Sequence, residues 1–234
     1  MKLLILSDTV VEAVYSTQLL ALCRDVNLVL CCGDLPYSYI EYVVSVLNVP
    51  VYHVRGNHSN AEDDPALGRW LEPAGAIDLH GRVVNAGGLL LAGVEGSHRY
   101  RPGAFQYSQA HMWLHVGRLL PSLLWNRLRY GRFLDVFVTH APPAGIHDDD
   151  DIPHHGIRAF RWLIDIFQPR YHFHGHVHIY RRDAQTITPR GKTQVINTYG
   201  YRLLEVEGIG FSGTVPPADW PRAKPDRPHR PQTP

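Results

Sequence analysis

The hydrophobic pattern of this 234-residue chain changes period many times, and each change marks a predicted element. "KLLILS" (2–7), "NLVLCC" (27–32) and "PVYHVR" (50–55) are continuous β-rich apolar runs, the pattern of strands buried on both faces of a parallel sheet. Helical spacing near 15–24 and 38–47 separates them and completes βαβ units. "GRVVNA" and "GLLLAGV" meet at Gly87-Gly88, a hairpin signal that predicts an antiparallel pair. Residues 105–130 predict two helices, with Pro121 in the first turn of the second, where a missing N–H costs no hydrogen bond. The strand "FLDVFVTH" (133–140), a long polar loop, the helix "IRAFRWLIDIF" (157–167), the strand "RYHFH", and the pair "KTQVINTY" and "YRLLEVE" follow. The order predicts an α/β chain in which a βαβ sheet passes into a second, more antiparallel sheet, with helices outside the resulting sandwich.

The pattern ends near residue 210. Thr214 to Pro234 holds seven prolines in 21 residues and can form neither a helix nor a central strand. The expected organisation is one domain over 1–210 and a Pro-rich tail over 211–234, read as disordered, with an extended arm laid along the body or a neighbouring copy through Trp220 as the alternative. A hydrophobic content of 44% supports a packed core, and Trp113, Trp125 and Trp162 read as core or cap packing. The net charge of +1 gives no global attraction to nucleic acid or to a membrane, so neither is an expected partner. Cys23, Cys31 and Cys32 have no disulfide or zinc spacing and are read as core thiols; with no signal peptide or membrane-length run, the expected location is cytoplasmic.

Chemistry concentrates where strands end. Asp8 follows "LLILS", Asp34 follows "LVLCCG", Asn57 and His58 follow "VYHVRG", His140 follows "DVFVT", and His176 and His178 follow "YHFHG". Carboxylate, carboxamide and imidazole at successive strand ends converge on one rim of a sheet, which predicts a metal site there. In the alternating run "HFHGHVH", His176 and His178 are therefore read as ligands, and His172 and His174 as the polar face of an edge strand.

The ordered blocks "SDTV", "CGDLPY", "RGNH", "VTHAPP" and "GHVH" resemble the calcineurin-like metallophosphoesterases over about residues 2–206. The resemblance implies a four-layer α/β/β/α sandwich of two mixed sheets and two divalent metal ions. Asp8 and His178 would belong to the first metal, Asn57, His140 and His176 to the second, and Asp34 would bridge both. It implies a hydrolase of phosphate esters, a phosphodiesterase ahead of a monoesterase, in which a metal-bound hydroxide attacks in line. His58 would bind neither metal and would serve the phosphate as acid or oxyanion donor. Where the family has Asp-x-His this chain reads Asp8-Thr9-Val10, so the first site loses an imidazole and is expected to be the weaker. Manganese is the expected metal, with iron, zinc, nickel and magnesium as alternatives. The rival reading is a catalytically weak metal-binding scaffold of the same fold. The expected substrate is a small phosphate ester or a nucleotide. Arg99 and Arg101, flanking Tyr100, and His155, beside Gly156 in the acidic loop "GIHDDDDIPHHG", are the candidate substrate contacts.

Overall fold

The structure, a computed structural model, describes residues 1–58, 72–181 and 183–206, with the strand pair 63–64 and 69–70. In chain order the elements are β1 (Lys2–Ser7), α1 (Leu19–Leu22), β2 (Leu28–Cys31), α2 (Tyr37–Leu47), β3 (Val51–His53), β4 (Asp63–Asp64), β5 (Arg69–Trp70) and β6 (Ile77–Asp78). There follow β7 (Val83–Ala86), β8 (Leu89–Val94), β9 (Ser97–His98), β10 (Gln106–Tyr107), α3 (Gln109–Tyr130) and β11 (Val136–Thr139). The chain continues through α4 (Arg158–Phe167), β12 (Tyr171–His174), β13 (Ile187–Arg190), β14 (Thr193–Asn197) and β15 (Gly200–Glu205). The expected tail over 211–234, with Trp220, lies outside the described residues.

Two mixed sheets carry the fold, in the orders β15-β1-β2-β3-β6 and β13-β14-β12-β11-β8-β7. Side chains alternate across each strand and so sort into three apolar layers. Leu3 and Ile5 of β1 meet Leu91, Val138, Phe173 and Ile196 of the other sheet in the central layer. Leu4 and Leu6 turn the other way and pack under α1 and α2 against Leu19, Tyr39, Ile40 and Val43. On the far side Leu90, Ala92 and Phe137 pack under α3 and α4 against Val116, Leu119, Phe160 and Leu163. The result is the four-layer α/β/β/α sandwich. Cys23, Cys31 and Cys32 are buried free thiols.

Four expectations change. The second sheet is parallel at its centre, from β8 through β11 and β12 to β14, and antiparallel only at its two edge hairpins. The consecutive strands β14 and β15 do not pair; β15 crosses to the first sheet and runs antiparallel to β1, covering an edge that would otherwise be open. Residues 109–130 form one helix that continues through Pro121. Its buried positions, Met112, Val116, Leu119, Leu123 and Asn126, keep helical spacing across the proline, and Pro121 is exposed, so water can reach the carbonyl it leaves unpaired.

The fourth correction concerns His172 and His174. β12 is a central strand between β11 and β14, and both imidazoles are fully buried. Each has a partner that makes burial tolerable. Thr139 Oγ1 donates to the Ala141 carbonyl, so it accepts from His172 Nε2–H at 2.9 Å. His172 Nδ1 has no partner and stays bare. His174 Nε2 lies 2.9 Å from His147 Nδ1. Burial pushes the His172 pKa down to about 3 and the His147 pKa down to about 4. The unfolded chain, with imidazoles near pKa 6.5, takes up protons that the folded chain refuses. This stability is whole above about pH 6.5 and is lost as pH falls towards 3. Equilibrium urea unfolding between pH 7 and pH 5 should show stability declining with acid. His172→Leu should flatten that slope by up to about 1.4 kcal/mol per pH unit, one proton's worth.

Candidate metal centre

The expected ligands stand at the C-terminal ends of β1, β2, β3, β11 and β12, along adjoining rims of the two sheets. Asp8, Asp34 and His176 have φ of 64°, 53° and 69°, a left-handed conformation that residues with a Cβ seldom adopt. The reversal lets each turn its side chain back over the strand ends. Two glycines make the approach possible. A Cβ at Gly56 would overlap Asp34 Oδ1, and one at Gly175 would overlap Ser7 Oγ and Asp8 Oδ2.

His140 Nε2 is the centre of the arrangement. Asn57 Oδ1 lies 2.9 Å away, His176 Nδ1 3.1 Å away and Asp34 Oδ2 3.2 Å away. The outer atoms of these groups are held elsewhere, which assigns their inner atoms. His140 Nδ1 donates to the Cys32 carbonyl at 2.9 Å, and His176 Nε2 donates to the Pro153 carbonyl at 2.8 Å. Asn57 Nδ2 donates to Tyr100 Oη at 3.3 Å, and the His58 backbone N–H donates to Asp34 Oδ1 at 2.7 Å. Lone pairs of four side chains thus face one another, an arrangement that demands a positive charge.

The titration behaviour reports the same demand. Burial works against charge on both Asp34 and His140, yet each overcomes it through the other. The Asp34 carboxyl is held down at about 2 and the His140 imidazole is pushed up to about 9. His176 beside them is pushed down to about 3 by burial, which keeps its inner lone pair free. Asp8 accepts from the His176 N–H at 2.9 Å through Oδ1, while its buried Oδ2 has no hydrogen-bond partner, and burial raises its pKa. A divalent cation fits this donor set of carboxylate, amide oxygen and imidazole.

The two halves of the site differ. Among the described residues, Asp34, His140 and His176 form one of two groups whose ligand atoms all lie within 4.8 Å of one another; Asp8 and His178 belong to neither group. His178 Nε2 stands 4.0 Å from Asp8 Oδ1, its Nδ1 held 2.9 Å from Tyr180 Oη. Val10 is 41% exposed, so the position where the family pattern expects an imidazole is open to solvent.

The candidate substrate residues divide as well. Arg99 and Arg101 line a cleft of about 520 Å³ with Tyr100, Pro102 and Gly103. Arg99 Nε is turned to the Gln106 carbonyl at 3.2 Å, while the Arg101 guanidinium lies over the Tyr100 ring. His155 is exposed, with its ring centroid 5.7 Å from that of His98. His58 is exposed, and its Nε2 is 3.5 Å from Tyr100 Oη. The tyrosine hydroxyl therefore touches both Asn57 and His58, a contact that sequence reading missed because it named Tyr100 only as a neighbour of Arg99 and Arg101. The acidic loop leans on the centre through the Pro153 carbonyl and through His154, whose ring centroid is 5.2 Å from that of His176. Asp149, Asp151 and His154 form the second compact group.

A metal-binding rim on a four-layer α/β/β/α sandwich defines the metallophosphoesterase type of protein. The family profile described as calcineurin-like phosphoesterase matches residues 1–180, and the chain belongs to that family. Membership makes it a metal-dependent phosphoesterase in general character. No curated protein matches the chain. Among solved structures, TT1561 of Thermus thermophilus is 17% identical, with a TM-score of 0.57 over 85% of this chain and 89% of its own. Another crystal structure is 15% identical, with a TM-score of 0.57 over 87% of this chain and 94% of its own. At such identities the likeness is one of fold.

A cation binding the folded centre alone raises stability, by about 2.7 kcal/mol at a hundred times its Kd. Thermal unfolding should shift upward on adding manganese and fall back with a chelator. Gly56→Ala, which displaces Asp34, should abolish that shift.

Proposed function

We propose that the chain hydrolyses phosphate esters, phosphodiesters ahead of monoesters, at a centre of two divalent cations. The observation that carries the reading is the convergence of Asn57 Oδ1, His176 Nδ1 and Asp34 Oδ2 on His140 Nε2, beside an exposed His58 whose imidazole stands apart from them. In this reading Asp8, Asp34 and His178 would hold the first cation and Asp34, Asn57, His140 and His176 the second, with Asp34 shared between them. Such a pair of cations lowers the pKa of a water to give a nucleophile at neutral pH and neutralises charge on the phosphoryl oxygens.

The protein's own groups do the rest. The imidazole of His58, outside the ligand cluster, donates a proton to the leaving oxygen or a hydrogen bond to the phosphoryl oxygen. Tyr100 Oη accepts from Asn57 Nδ2, which keeps the amide oxygen turned inward, and its own O–H is positioned for His58 Nε2. The cleft beside Tyr100, with Arg99 and Arg101, leaves room for the second ester group of a diester, and this favours diesters. Exposed Val10 and the looser placing of His178 support a weaker first site leaning towards manganese or magnesium.

The rival reading, a catalytically weak metal-binding scaffold, is supported by that same loose half. Bis-p-nitrophenyl phosphate and p-nitrophenyl phosphate, assayed across manganese, magnesium, zinc, nickel and iron, separate the two. Turnover of the diester supports the enzyme; bound metal without turnover of either ester supports the scaffold. His58→Ala should keep metal content and lower kcat by roughly 100-fold. Loss of metal in that variant would instead make His58 a ligand. Val10→His should raise metal content measured after dialysis and lower the manganese concentration needed for half activity. Two equally tight metals in the unaltered chain would refute the weak first site.

A further inference from the structure

The buried side of α3 covers the second sheet, and the side turned to solvent is apolar as well. Trp113, Leu114, Leu124, Trp125 and Leu128 are 41%, 61%, 56%, 64% and 82% exposed. At the helical turn angle they fall in one sector about 120° wide, opposite the buried stripe and free of charged residues. Gly117 and Pro121 lie in the same sector. Trp113 also packs on Trp162 of α4, ring centroids 5.4 Å apart, so it is fixed in place rather than free to fold away. The packing role expected of Trp125 is not what the structure gives it. A contiguous exposed apolar face of this kind ordinarily marks an interaction surface.

Charge at the flanks of the sector has one sign. Residues 109–132 contain Arg118, Arg127, Arg129 and Arg132 and no Asp or Glu. Arg132 is paired with Asp135, while Arg127 and Arg129 lie over the rings of Phe133 and Tyr130. The net charge of +1 hides this asymmetry because acids are concentrated elsewhere, as in Asp148 to Asp151.

We propose that this face of α3 docks in the plane of an anionic lipid surface. Trp113, Leu124, Trp125 and Leu128 enter the headgroup boundary, and Arg118, Arg127 and Arg129 meet lipid phosphates. The charges select this occupant. Two copies joined symmetrically through α3 would set arginines against arginines with no acid on either helix to answer them, whereas an anionic surface answers all of them. Tryptophan and leucine flanked by arginine is the composition suited to that boundary, where arginine stems lie along apolar surface and their heads reach outward. No helix among the described residues is long and apolar enough to cross a membrane, so the contact is peripheral. The inference rests on α3 alone and stands apart from the chemistry proposed for the metal centre.

Flotation of the full chain with vesicles of phosphatidylcholine, alone or mixed with phosphatidylglycerol, tests it. The protein should float with the mixed vesicles, shift its tryptophan emission to the blue, and release with salt. Arg127→Gln and Arg129→Gln should each weaken binding about five-fold. Trp125→Ser with Leu128→Ser should weaken it about ten-fold or more with unchanged circular dichroism. The proposal fails if the folded chain floats with neither vesicle at low salt, if it binds both equally, or if the Trp125 and Leu128 changes leave binding intact. It also fails if the chain is a dimer that Trp125→Arg dissociates, which would assign the face to a second copy.

Discussion

The convergence of three polar side chains on His140 is the constraint on which the rest of the structure depends. Asp34 Oδ2, Asn57 Oδ1 and His176 Nδ1 all stand within 3.2 Å of its Nε2. They come from three different strand ends, and each is held by a second bond behind it. Holding them there strains the backbone at Asp8, Asp34 and His176, at about 1–3 kcal/mol for each left-handed residue. Two sheets locked face to face by Ile5, Val138, Phe173 and Ile196 provide the rigidity that sustains such strain.

The centre is lopsided as a result of its supports. On the His140 side the acidic loop supplies the Pro153 carbonyl and the His154 ring as a wall around His176. On the Asp8 side His178 rests on the exposed Tyr180, and Val10 faces solvent. The missing imidazole at Val10 is therefore one part of a broader looseness on that side.

Much of this was legible in the sequence for a physical reason. Apolar runs ending in Asp8, Asp34, Asn57, His140 and His176 encode both the strands and the positions of their C-terminal ends, so fold and rim are read from one pattern. What escaped is what periodicity does not carry. His172 and His174 alternate as surface residues would, and only the partners Thr139 and His147, distant in sequence, make them interior. Pro121 reads as a boundary because local rules cannot know that its side of α3 is turned away from the sheet. The Tyr100 hydroxyl at Asn57 depends on a loop geometry with no periodic signature.

β15 leaves the neighbourhood of β14, crosses between the sheets and pairs with β1 along its whole length, from Lys2 opposite Glu205 to Ser7 opposite Gly200. The amine of Met1 donates to the carbonyl of Val206, 205 positions away. Synthesis proceeds from the N-terminus, so β1 and Asp8 are made long before β15, their outer neighbour, exists. During that interval β1 presents an unpaired edge. Closure of the first sheet thus waits for β15: a ribosome-bound fragment ending at residue 199 holds all six proposed ligands without the strand that braces the first of them.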